Sequence, residues 1–199
     1  MADERAGSGP ANRLDRRGFF TQGFQRALRE VVDAFGERVA PTRYVRPPGA
    51  LPEPAFLGAC TRCDKCADAC PVHAITKLAP SHGLAAGTPV LDVATTACIM
   101  CETMPCAAAC PTDALEVPQS LWAGTKIAVV AIDTTRCITY RDVECGICAR
   151  VCPVGEDALK LDERGRPVIG DACTGCGRCI GACVTAPSSI SAAPLEMLT

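Results

Sequence analysis

Four cysteines stand within eleven residues of this chain, at Cys60, Cys63, Cys66 and Cys70, and Pro71 follows directly. The spacing Cys-x2-Cys-x2-Cys-x3-Cys-Pro is the bacterial run that holds iron–sulfur clusters. A short loop presents three sulfurs to one cluster, and in proteins with two clusters the fourth cysteine ligates the other one. The run therefore predicts clusters that are built on local loops and exchange one ligand.

The same arrangement recurs three more times, and all sixteen cysteines belong to one of four groups. Group two has four residues between its second and third cysteines, and group three has seven between its first two. Group four ends in Cys183-Val184, where the others end in Cys-Pro. Because each group can place three sulfurs around one cluster, we predict four [4Fe–4S] clusters. The predicted ligands are Cys60, Cys63, Cys66, Cys70, Cys98, Cys101, Cys106, Cys110, Cys137, Cys145, Cys148, Cys152, Cys173, Cys176, Cys179 and Cys183.

Zinc and disulfide bonds are the competing uses of so many cysteines. Aromatic residues make up only 4% of the 199 residues, so the hydrophobic core is thin, and such domains depend on metals or disulfides. Disulfide scaffolds scatter cysteines along a short secreted chain, whereas zinc sites join two Cys-x2-Cys knuckles across a longer loop. Compact runs of four favour clusters over both. His73 and His82 are the only histidines, and each group is complete without them.

Short apolar segments between the groups predict strands, and the clearest is Lys126–Asp133, which is rich in β-branched residues. The turn Asp162-Glu-Arg-Gly165 between two apolar segments predicts a hairpin. We therefore predict an α+β fold with two ferredoxin-like two-cluster [4Fe–4S] modules in a pseudo-repeat, preceded by an amphipathic helix and a proline-rich linker. The predicted divisions are a disordered segment 1–12, an amphipathic basic helix 13–40, a proline-rich linker 41–55, a four-cluster ferredoxin body 56–190 and a tail 191–199.

The segment before the cysteine groups carries a twin arginine, Arg16-Arg17, followed by Phe19 and Phe20. This start is similar to a twin-arginine export leader, but polar residues follow where a leader needs about 7–15 apolar ones. We therefore expect a cytoplasmic protein that is not exported. From Phe20 to Val39, apolar residues recur at three- and four-residue steps, which predicts one apolar helix face.

Charge separates this segment from the rest of the chain. Residues 11–46 hold eight Arg and four acidic residues, net +4, whereas residues 47–199 hold eleven basic and sixteen acidic residues, net -5. Two interpretations of the basic helix remain open: packing on the body with solvated arginines, or docking on a redox partner or peripherally on a membrane. Clusters held by thiolates add further negative charge to the body, which argues against nucleic acid as a partner.

The chain shows no phosphate-cradling glycine loop, no dinucleotide fingerprint and no nucleophile paired with a base. We therefore expect an electron carrier or electron-transfer subunit without a catalytic site of its own. Its predicted function is to relay single electrons between redox partners, or to serve as the iron–sulfur subunit of a larger redox enzyme. The alternative is a cytoplasmic maturation or assembly factor that binds a metalloenzyme.

Over about residues 13–190, the order of these motifs resembles the ferredoxin-type proteins NapF, NapG and MauM, which are associated with periplasmic nitrate reductase and methylamine oxidation. The start, from Arg16-Arg17-Gly-Phe-Phe to Cys60-Thr-Arg-Cys63, looks like the cytoplasmic NapF type. The long step in group two, with Pro105-Cys106, looks like the exported NapG type. The resemblance implies a four-cluster polyferredoxin.

Those families are similar to the iron–sulfur subunits of molybdenum oxidoreductases, in which the first group pairs with the fourth and the second with the third. By this resemblance Cys183 would join group one and Cys70 would join group four. In the same way Cys152 would join group two and Cys110 would join group three. Sequential pairing, of group one with two and of three with four, remains open at this point.

Overall fold

The computed structural model of the protein describes residues 44–195. The predicted disordered segment 1–12, the basic helix 13–40 and the last four residues lie outside this range. Within it, no helix is both long and apolar enough to cross a bilayer.

The first half of the described chain contains three helices and one strand pair. In chain order its elements are α1 (Glu53–Ala59), α2 (Lys65–Asp68), β1 (Ile75–Lys77), a 3₁₀ segment (Pro80–Ala85), β2 (Pro89–Leu91) and α3 (Pro105–Ala108). The strands β1 and β2 pair antiparallel, with Ile75 opposite Leu91. Pro54 lies in the first turn of α1, where a missing amide costs nothing, and the helix ends just before Cys60.

The second half contains two strand pairs and two one-turn helices. Its elements are β3 (Val129–Ile132), a 3₁₀ segment (Ile138–Arg141), α4 (Ile147–Arg150), β4 (Leu159–Leu161), β5 (Pro167–Ile169), α5 (Arg178–Gly181) and β6 (Ile190–Ala193). The predicted hairpin is confirmed as β4 and β5, with Gly165 in the turn at φ +73°. Strand β3 pairs antiparallel with β6, so the two ends of this half meet.

The two halves repeat one plan, in which an inner strand pair separates two cysteine loops. In the second half β3 and β6 close the unit, whereas in the first half the closing pair is reduced to one bridge between Ala50 and Leu115. The bridge is flanked by two bonds, from the Leu51 amide to the Ala114 carbonyl and from the Glu116 amide to the Gly49 carbonyl. We call the two halves module 1 and module 2.

The hydrophobic core is small but continuous between the modules. Phe56 on α1 is fully buried against Met104 and Leu115 of module 1. A second set of buried residues spans both modules: Val45, Ile75, Leu91, Val93, Ile127, Leu159, Ile180 and Ile190. The modules therefore bury apolar surface against each other as well as within themselves.

The packed body is longer at both ends than the predicted range 56–190. Val45 and Arg46 are buried, so residues 45–55 pack on the body, and the linker predicted over 41–55 does not describe this part. The Arg46 guanidinium is held by Glu53, the Thr88 hydroxyl and the Pro89 carbonyl. At the other end, β6 extends to Ala193, into residues that the sequence assigned to a tail. Long-range contacts define both boundaries, and local composition does not record them.

Candidate iron–sulfur centres

Left-handed backbone turns shape all four cysteine loops. Each one-turn helix is preceded by a residue with positive φ: Asp64, Met104, Gly146 and Gly177. In three loops the residue before the second cysteine has positive φ as well: Arg62, Met100 and Gly175. Alternation of right- and left-handed residues turns successive amides toward one concave side, an arrangement that binds anions and recurs at iron–sulfur sites. At Cys98, for example, burial raises the pKa of the thiol and the Met100 amide acts in the opposite direction.

Within residues 44–195, four cavities are each lined by four cysteines. Three come from one group and the fourth from the other group of the same module. Site 1 is lined by Cys60, Cys63, Cys66 and Cys110, and site 2 by Cys98, Cys101, Cys106 and Cys70. Site 3 is lined by Cys137, Cys145, Cys148 and Cys183, and site 4 by Cys173, Cys176, Cys179 and Cys152.

This arrangement is sequential, and the nested pairing implied by the molybdenum-enzyme resemblance is wrong for this chain. Burial raises the pKa of the Cys66 thiol to about 11, and Cys60 and Cys110 add to that rise by charge repulsion. Cys110 from group two, and not Cys183 from group four, is therefore the neighbour of group one. The physical reason is the closure of each module on itself, by the Ala50–Leu115 bridge in module 1 and by β3 and β6 in module 2.

Each site fits a cubane cluster better than a single metal ion. All sixteen cysteines are free thiols, and within residues 44–195 no three His, Cys, Asp or Glu side chains converge as a single ion requires. A zinc ion would draw four sulfurs to about 2.3 Å from one point. Here they surround cavities of about 340 to 440 Å³, including space open to solvent. Each cavity therefore has its four sulfurs around a space rather than around one point.

The thiols are placed where they need a cationic partner. Burial raises the pKa of Cys98 to about 11 and the pKa of both Cys106 and Cys179 to about 12, and neighbouring cysteines reinforce each shift. Three cysteines shift the other way. The Lys65 amide and the Thr61 side chain lower the pKa of Cys63, and, although burial opposes the change, the amides of Leu115 and Thr112 lower the pKa of Cys110. Burial also opposes the change at Cys183, where hydrogen bonds from Ser189 and Thr185 lower the pKa to about 6. Since clusters and metals bind thiolates, a cluster held here would supply the positive charge that these buried sulfurs lack.

Sites 2 and 4 adjoin across the boundary between the modules. The Cys98 amide donates to the Cys176 carbonyl over 2.8 Å, and the Thr174 hydroxyl donates to Met100 Sδ over 3.4 Å. A Cβ on Gly177 would lie 2.3 Å from the Val93 carbonyl oxygen, so this close approach requires glycine. Gly177 in the loop of group four therefore lets the two modules touch.

Sequence reasoning missed three hydroxyl groups beside site 3. Thr139 Oγ1 lies 3.2 Å from Cys137 Sγ, and the hydroxyls of Thr185 and Ser189 each lie 3.3 Å from Cys183 Sγ. A Cys-x-Thr spacing at Cys137 and at Cys183 was the available signal, but it also occurs at Cys110, where Thr112 lies 3.9 Å away. Ser189 is six residues beyond Cys183, and only the approach to β6 brings it back.

Comparison with known proteins agrees with this geometry. A family model described as a 4Fe-4S dicluster domain matches residues 59–114, and a second with the same description matches residues 129–184. The chain is 38% identical to the methylamine utilization ferredoxin-type protein MauM of Methylorubrum extorquens, over 79% of this chain and 76% of that protein. It belongs to the MauM and NapG family of ferredoxin-type proteins.

Two further relatives are also named as ferredoxin-type proteins. MauM of Methylophilus methylotrophus is 36% identical over 99% of this chain and 94% of its own length. The ferredoxin-type protein NapG of Escherichia coli strain K12 is 36% identical over 77% of this chain and 71% of its own. No solved structure gives a significant match.

The family and the two dicluster domains together establish the cofactors. This MauM/NapG-type chain is an electron-transfer iron–sulfur protein with four [4Fe–4S] clusters, as predicted. The prediction of two two-cluster modules in tandem is confirmed as well. The alternative of an assembly factor is not favoured by the relatives, whose names are those of ferredoxin-type proteins.

Proposed function

We propose that the chain relays single electrons between redox partners along four clusters in the order site 1, site 2, site 4, site 3. The sixteen cysteines ligate the clusters in the sequential pairing of the four cavities. The single observation that carries the order is the bond from the Cys98 amide to the Cys176 carbonyl, which joins the loops of sites 2 and 4. Cluster proximity sets electron-transfer rates, and cysteine ligation, burial and hydrogen bonds set potentials.

Within each module a short helix links the two sites. Cys66 lies on α2 and lines site 1, and Cys70, four residues later, lines site 2. In module 2 the same relation holds around α4, since Cys148 lines site 3 and Cys152 lines site 4. Sites 1 and 3 then form the two ends of the relay, and each exchanges electrons with an outside partner.

The partners are redox proteins that recognise charge. The body is acidic, net -5 over residues 47–199, and favours a basic docking surface, while the segment 11–46 carries net +4 and favours an acidic one. Removal of residues 1–43 tests the second part, because Tyr44 begins the described body. Binding to a candidate partner should fall while the visible absorbance of the clusters stays unchanged. Equal binding by the full and shortened chains would remove this role.

The absence of catalysis by the chain itself belongs to the same proposal. The chain transforms no substrate of its own, so purified protein should exchange electrons with dyes and carriers but yield no chemical product.

The proposed location is the cytoplasm, because residues with polar and charged side chains follow the twin arginine. Separation of cytoplasmic, periplasmic and membrane fractions, with detection of the chain by antibody, tests the location.

The order of the relay is tested by magnetic coupling in the fully reduced, anaerobically reconstituted protein, which should carry about 16 irons. A Cys98→Ala/Cys101→Ala variant removes the cluster of site 2 and should leave site 1 as a magnetically isolated cluster with a narrow signal. The matched Cys60→Ala/Cys63→Ala variant removes site 1 and should leave three coupled clusters. An iron content far below about 16 in the parent protein would refute the four-cluster relay. A site 1 signal that stays broadened without site 2 would refute the order.

A further inference from the structure

The hydroxyl groups of the chain are distributed unevenly among the four sites. Site 3 has three of them near its sulfurs: Thr139 at 3.2 Å from Cys137, and Thr185 and Ser189 each at 3.3 Å from Cys183. A ligating cysteine is a thiolate and has no proton to give, so in each contact the hydroxyl is the donor. These three bonds are therefore directed at the negative charge of the cluster that site 3 holds.

The other three sites have fewer short contacts between a hydroxyl group and a cysteine sulfur. At site 1 the Thr112 hydroxyl lies 3.9 Å from Cys110 Sγ. The Lys65 amide and the Thr61 side chain also lower the pKa of Cys63, but that cysteine is exposed to solvent. At site 2 the corresponding donor is a backbone amide, from Ala74 to Cys70 over 3.3 Å. Beside site 4, Thr174 follows Cys173 directly, but its hydroxyl donates to Met100 Sδ over 3.4 Å and not to a cysteine. Backbone amides serve sites in both modules, so site 3 is distinguished by three short hydroxyl contacts, two of them from buried side chains.

Burial strengthens this difference. Thr139 is 4% exposed and Ser189 is 3% exposed, so their bonds to sulfur lie in a region of low dielectric, where hydrogen bonds are electrostatically stronger. Thr185 is also fixed in place, because its oxygen accepts the Ser189 amide over 2.8 Å. The donors are therefore oriented before any electron arrives.

Two charged side chains beside site 1, Arg62 and Lys77, do not outweigh this effect. The Arg62 guanidinium beside site 1 is occupied by the carbonyls of Ala86, Leu84 and Cys60. Lys77, on the same side, is paired with Asp64 at the exposed surface. Exposed and paired charges of this kind are screened by water and salt, so they shift a cluster's potential less than buried donors to its ligands.

We propose that site 3 holds the cluster of highest reduction potential, and that the first electron to enter the chain comes to rest there. Reduction adds one electron to an oxidised [4Fe–4S]2+ cluster and gives [4Fe–4S]+, with no bond made or broken. The hydroxyls of Thr139, Thr185 and Ser189 stabilise the added negative charge, and such hydrogen bonds raise the potential of a cluster. The inference rests on the proposed relay and gives it a direction, since electrons that enter at site 1 flow toward site 3.

The test is an anaerobic titration of the holoprotein with dithionite as the one-electron donor, followed by EPR at controlled potential. Thr139→Val and Ser189→Ala each remove one donor and little volume, and each should shift the first-reduced signal to more negative potential. Thr139→Ser keeps the hydroxyl and should keep the potential. Thr174→Val is the matched control, because that buried hydroxyl is next to Cys173 in the chain yet donates to Met100 Sδ.

A second measurement does not depend on the hydroxyl variants. Cys145→Ala/Cys148→Ala removes the cluster of site 3, and the signal that disappears should be the one reduced first in the parent protein. If a signal of lower potential disappears, or if the hydroxyl variants shift a different signal or none, the inference is overturned. In that outcome the proposed relay still stands, because it depends on the load of about 16 irons and on the coupling pattern.

Discussion

The backbone amide of Cys98 donates to the carbonyl of Cys176 over 2.8 Å, and this bond joins a loop of module 1 to a loop of module 2. Both residues line cavities, Cys98 in site 2 and Cys176 in site 4. Their sulfurs are near enough for Cys176 to raise the pKa of the Cys98 thiol, after the larger effect of burial. Two modules that each hold two clusters thus make one continuous series of four.

The close approach of the modules depends on Gly177, so we expect Gly177→Ala to loosen the boundary. Gly177 has φ +85°, and an added Cβ would lie 2.3 Å from the Val93 carbonyl oxygen. Gly165→Ala is the matched control, because Gly165 has φ +73° but open space around the Cβ position. Both changes should cost about 1–2 kcal/mol for the left-handed backbone. Gly177→Ala should cost more and weaken the magnetic coupling between the modules; equal melting temperatures and unchanged coupling would contradict this.

Iron content distinguishes sequential from nested pairing. Cys63→Ala/Cys110→Ala removes two cysteines that line site 1, so the variant should lose one cluster and carry about 12 irons in place of about 16. Cys63→Ala/Cys183→Ala removes cysteines of two different sites and should leave about 8 irons. Nested pairing would place Cys63 and Cys183 in one site. The Cys63→Ala/Cys110→Ala variant would then carry about 8 irons and Cys63→Ala/Cys183→Ala about 12. Iron and sulfide assays on anaerobically reconstituted protein decide between them.

The buried ion pair of Arg46 and Glu53 should be the anchor of residues 45–55. Their side chains are 6% and 3% exposed, so Arg46→Met leaves a buried carboxylate without its partner. Such a loss costs about 3–5 kcal/mol, or roughly 6–20 °C in melting temperature for a chain of this size. Lys77→Met breaks the half-exposed pair with Asp64 and should change little.

A double variant refines that measurement. Arg46→Met/Glu53→Met replaces both charges with apolar side chains and should recover part of the stability that Arg46→Met loses, because no charge is left buried alone. Differential scanning calorimetry of the four anaerobic proteins supplies the melting temperatures. Similar values for Arg46→Met and Lys77→Met would show that the N-terminal segment is held by other contacts.

Removal of iron should unfold the body. Its longest α-helix in residues 44–195 has seven residues, its strands have three or four, and cysteines form part of the buried core. Elements this short are not stable alone, and the buried thiols that remain would repel one another once deprotonated. Anaerobic chelation should therefore abolish the cluster absorbance and the near-ultraviolet circular dichroism together, with thiols kept reduced as a control. Native dichroism in colourless protein would contradict a structural role for the clusters.

Much of the local structure could be predicted from the amino-acid sequence. The spacing of the cysteine groups, the count of four clusters and the turn at Gly165 all depend on residues within about a dozen positions of one another. Backbone geometry over so short a span is limited by sterics, so residue type and spacing carry the information. Strand ends were less accurate: the strand predicted over Lys126–Asp133 is only Val129–Ile132.

The amino-acid sequence by itself determined the chemistry, because three sulfurs on one short loop suit one cluster wherever that loop lies. Tertiary structure alone decided which fourth cysteine completes each site, which loops meet between the modules and which hydroxyls reach the sulfurs. Those relationships join residues such as Cys66 with Cys110, Cys98 with Cys176 and Cys183 with Ser189. They follow from the closure of each module by distant strands and from glycines that allow backbones to touch, and neither is encoded in the spacing of a local motif.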